Sequence, residues 1–158
     1  MTKDQFTNDE WTALLRAPIA AGSLVATAET DRRNMRAEFR AMAKSIRHVE
    51  LAGAGHHLVA ALIADMTDDN RAPDTAAAPL SDRPALEAEV REAARVVDAR
   101  CEPGVAEGYK AWVREVAVEV ARAAKEGSIL GIGGTRVTPE EQRALMAIDE
   151  LLDVDAEI

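Results

Sequence analysis

The residues of this 158-residue chain whose types and spacing come closest to a binding motif lie in one stretch, Gly127-Ser128-Ile129-Leu130-Gly131-Ile132-Gly133-Gly134-Thr135-Arg136-Val137. Glycines leave backbone N–H groups open to a ligand. With Arg136 and the N-terminus of a helix after it, such a turn is able to hold an anion. The candidate ligand contacts are Gly131, Gly133, Gly134 and Arg136, joined by Trp112 from the preceding helix. The stretch lacks the Lys-Ser/Thr ending of a phosphate-binding loop, and no strand precedes it as a dinucleotide fold requires. The simpler reading, and the expected one, is a helix connection in which Leu130 and Ile132 close the end of the core while the glycines turn the chain.

Imidazole chemistry would have to come from His48, His56 and His57. His48 and His56 flank the Gly53–Gly55 break, so a turn there would bring them together, with Asp65 or Glu50 as a neighbouring carboxylate. Neither His-Glu-x-x-His nor a pair of Glu-x-x-His segments occurs, which removes the common zinc-protease and di-iron bundle signals. Adjacent residues on a helix point apart, so His56 and His57 would not both ligate one ion. No metal site, no cofactor and no catalytic residue is expected. Cys101 falls on the apolar stripe of its helix, where a cysteine behaves as a small hydrophobe rather than a nucleophile. No Gly-x-Ser-x-Gly elbow is present.

The elements that must position these residues are helices. Thr7-Asn8-Asp9-Glu10 is a capping box, and Phe6 and Trp11 occupy the positions of a hydrophobic staple. This first helix is expected to end near Ala17, because Pro18 disfavours helical geometry in the residue before it and suits the first turn of a new helix. A second helix would then run from Pro18 to about Glu29 and bury Ile19, Leu24 and Val25. Met35, Phe39, Met42, Ile46 and Val49 recur at steps of four and three, which puts them on one stripe of a third helix. Arg32, Arg33, Arg36, Arg40, Lys44 and Arg47 lie mostly outside that stripe. They form either a docking surface for an acidic partner or, as expected, a solvated face. Leu58, Val59, Leu62, Ile63 and Met66 continue as a shorter apolar helix.

Residues 67–83 carry turn formers and no apolar period, which predicts an exposed loop. Beyond it, Leu86, Val90, Ala94, Val97 and Cys101 share one face of a helix opened by Pro84 and ended by Pro103-Gly104. Val105, Tyr109, Trp112, Val116 and Val120 repeat that spacing over about 105–125, with Val113 widening the stripe. After the glycine-rich connector, 127–137, Thr138-Pro139-Glu140-Glu141 sets a second capping box, and Leu145, Ile148 and Leu152 give the last helix its buried face. No repeat of fixed period occurs. The expected fold is all-α: a single-domain bundle of about six or seven helices spanning 1–158.

Composition narrows the classes further. The formal charge is −9, from 28 acidic and 19 basic residues, and the two signs are interleaved. Nucleic-acid binding would need a concentrated basic face, and anionic membranes would repel the chain, so neither partner is expected. The longest low-charge stretch, 17–28, is far too short to span a bilayer. One cysteine and the lack of an apolar leader at the N-terminus point to the cytoplasm.

Trp11-Thr12-Ala13-Leu14-Leu15-Arg16-Ala17-Pro18 with Gly22, and Ala124-Lys125-Glu126-Gly127 with Leu130-Gly131-Ile132-Gly133-Gly134 and Val137, carry one further reading. In these two segments the chain resembles a family of small uncharacterised bacterial all-helical proteins. The resemblance implies an amphipathic helix before the glycine turn and a capped helix after it, and supplies no catalytic residue. The function expected from all of this is that of a non-enzymatic helical accessory or interaction protein, with a protein partner or self-association. The alternative is a small-molecule or anion binder, or an enzyme, with its pocket at the connector.

Overall fold

The computed structural model describes residues 3–28, 42, 44, 46, 55–67, 82–126 and 138–152. Among them are a short 3-10 turn, Lys3–Gln5, and five α-helices: α1 (Asn8–Ala26), α2 (His56–Thr67), α3 (Arg83–Arg100), α4 (Pro103–Glu126) and α5 (Pro139–Leu152). No strand occurs among the described residues. The helix grammar of the sequence is therefore the architecture of everything described.

The helix starts are set by their caps. At α1 the Thr7 hydroxyl accepts from the Glu10 amide at 3.2 Å, and the Glu10 carboxylate accepts from the Thr7 amide at 2.7 Å. Phe6 and Trp11 close over this turn with ring centroids 5.7 Å apart. The same reciprocal pair starts α5, with Thr138 N–H donating to Glu141 at 2.9 Å and Glu141 N–H donating to the Thr138 hydroxyl at 3.2 Å. Glu141 is buried, so this carboxylate is taken from water and held by the helix end it serves. Asp82, inside the expected loop, caps α3 by accepting from the Ala85 amide at 3.2 Å.

One expected boundary is overturned. Pro18 lies inside α1, which runs without interruption from Asn8 to Ala26. Proline has no N–H, so the carbonyl four residues earlier, that of Leu14, loses its helical donor. The Tyr109 hydroxyl of α4 donates to that carbonyl at 2.8 Å. A side chain distant in sequence thus supplies the hydrogen bond that the proline removes, and the helix continues.

Helix α1 is the central element and packs most extensively on α3 and α4. From Ala17 to Val25 only Ile19 is more than slightly exposed, so this half of the helix is covered on nearly all sides. Its small residues let neighbours approach: a methyl group on Gly22 would overlap the Met42 sulfur and meet Val120 at 3.3 Å. Met42 and Ile46 are helical and buried and Lys44 is helical and exposed, as the stripe through Met42 and Ile46 requires. Helix α5 packs across α1, α3 and α4, and α2 lies mainly on α4. At that α2–α4 crossing two backbones touch: a methyl group on Gly108 would stand 2.7 Å from the Gly55 Cα.

One hydrophobic cluster joins all five helices. Leu86, Val90, Ala94 and Val97 of α3 and Tyr109, Trp112, Val113, Val116 and Val120 of α4 are buried as their spacing predicts. Ile148, Leu151 and Leu152 supply the α5 contribution.

Candidate functional site

Gly131, Gly133, Gly134 and Arg136 lie outside the described residues, as does the whole connector. So do His48, Glu50 and the arginine set Arg32, Arg33, Arg36, Arg40 and Arg47. Of the candidate ligand contacts, Trp112 alone can be placed. It is fully buried in the middle of α4, edge-on to Tyr109 with centroids 5.8 Å apart. By helical rise it stands about 21 Å along the axis from the last residue of α4, Glu126. Its indole N–H has no acceptor among the described residues.

His56 and His57 open α2 and are both exposed, their rings 5.8 Å apart and edge to face. Asp65 sits near the other end of the same helix, about 13 Å away along the axis, too far to share an ion with them. Among the described residues no group of three or more histidine, cysteine or acidic side chains is placed to hold a metal.

Asp65 is engaged elsewhere. Its Oδ2 accepts from the Trp11 indole at 2.7 Å and from the Lys3 ammonium at 3.0 Å. Lys3 also stands over the Trp11 ring, 5.6 Å from the centroid. A carboxylate on α2, an indole on α1 and a lysine of the N-terminal turn thus form one partly buried cluster that fastens the start of the chain to α2. The charge-assisted bonds are of the stronger kind, because the acceptor is ionised and largely withdrawn from solvent.

A second junction ties α1 to α3. Glu10, already bound to the Thr7 amide, accepts from Arg100 at 2.8 Å and 2.6 Å. The Thr7 amide and the Arg100 guanidinium together hold the Glu10 carboxyl below its ordinary range. Lys110 and Asp98 link α4 to α3 at 2.6 Å, and Arg114 and Asp149 link α4 to α5 at 2.5 Å.

Among the described residues, Tyr109 and Cys101 also carry groups with reactive potential. Complete burial pushes the Tyr109 phenol well above its ordinary value, which keeps the proton that it donates to Leu14. Cys101 is half-buried just past the end of α3, and burial likewise raises its thiol. A raised thiol holds less thiolate at neutral pH, the reverse of an activated nucleophile.

The role of Tyr109 escapes sequence reasoning, although a signal exists: a hydroxyl on an apolar stripe needs a buried partner, and Pro18 frees a buried carbonyl. Asp65, a candidate carboxylate beside the histidines, instead holds Trp11 and Lys3. Comparison of the chain with protein-family models, curated proteins and solved structures finds no match. No helix among the described residues is long and apolar enough to cross a membrane.

Proposed function

We propose that this chain is a non-enzymatic helical accessory or interaction protein, cytoplasmic, working through a protein partner or a second copy of itself. The observation that supports this reading is the use to which the fold puts its polar groups. Tyr109, Asp65 and Glu10 each hold one part of the chain against another, and the buried Glu141 caps the helix it belongs to. A fold that commits such groups to its own joints is a rigid scaffold, and its activity then resides in the outward surface it presents. Light scattering across a concentration series tests the self-association form of the proposal. A mass rising above the 17.0 kDa of one chain supports it. A constant 17.0 kDa at all concentrations removes self-association and leaves only a heterologous partner.

The second reading, a small-molecule or anion binder at the connector, draws on the glycine-rich sequence with Arg136 alone, since the unpartnered Trp112 indole is buried in the core about 21 Å along α4 from the helix end where the connector begins. A thermal shift on adding inorganic phosphate, abolished by Arg136→Ala, is the expected result for an anion site. An equal shift in the variant contradicts it.

A further inference from the structure

We draw no further inference here: the strongest candidate, the exposed Met146 on the outer face of α5, is a single apolar side chain between Arg143 and Glu150 in a helix of mixed charge, and nothing in the structure shows what covers it.

Discussion

Replacing Tyr109 by phenylalanine removes one oxygen atom and leaves the ring that packs on Trp112 in place. The consequence falls on the Leu14 carbonyl, which Pro18 has already deprived of its helical donor. A buried acceptor left without a partner costs about 1–3 kcal/mol. Taking about 2 kcal/mol, the melting temperature of a chain this size should fall by roughly 4–8 °C. Urea unfolding is the assay, with a lower midpoint and an unchanged slope as the expected result. The decisive comparison adds Pro18→Ala, which restores an amide to position 18 able to donate to Leu14. In that background Tyr109→Phe should cost about 1 kcal/mol or less, so the two changes show a coupling of about 1–2 kcal/mol. If Tyr109→Phe costs nothing, or the same amount in both backgrounds, the hydroxyl does not stand in for the missing amide.

The two small-residue contacts should respond differently to a methyl group. Gly108→Ala drives a Cβ against the Gly55 backbone and is expected to destabilise by about 1–3 kcal/mol, more than the helix-propensity gain of about 1 kcal/mol offsets. Gly22→Ala meets chiefly the end of the flexible Met42 side chain, so calorimetry should place its melting temperature above that of Gly108→Ala. Glu10 gives a pH prediction. Its folded-state value lies below its ordinary one, so its contribution is complete above the unfolded value, near 4.5, and is lost as pH falls through the lower folded value. Glu10→Gln should therefore lower stability at neutral pH and flatten the acid limb of the stability profile; a parallel profile would contradict the assignment.

Local signals carry most of the fold. The boxes at Thr7 and Thr138, the Phe6–Trp11 staple and the stripes of α3 and α4 all depend on residues within a turn or two of each other, so one sequence suffices to read them. Pro18 misleads because its local preference is to end a helix. The compensating donor, Tyr109, lies 95 positions from the Leu14 carbonyl it serves, and such a pairing exists only after the helices have packed. Asp82 is ambiguous for a related reason: the same short carboxylate that suits a turn also suits an N-cap, so its position within 67–83 does not reveal that it starts α3. Helix count differs for a simple cause at one point, since the two helices expected on either side of Pro18 are one. Of the candidate site, Trp112 is legible as a core anchor on α4. Asp65 is legible only as a carboxylate, because its bonds to Trp11 and Lys3 join three separate segments.

The most direct test of the claim that the polar groups of this fold serve its joints is the urea midpoint of Asp65→Ala. This change leaves the nearly buried Trp11 indole without the Asp65 acceptor and releases Lys3. A hydrogen bond to a charged group contributes about 1.5–3 kcal/mol, so the midpoint should fall by a corresponding amount with an unchanged slope. A carboxylate kept for binding or catalysis behaves in the opposite way, since its removal commonly leaves stability unchanged or raises it. An unchanged or higher midpoint would contradict the structural assignment of Asp65 and turn attention back to that carboxylate as a functional group.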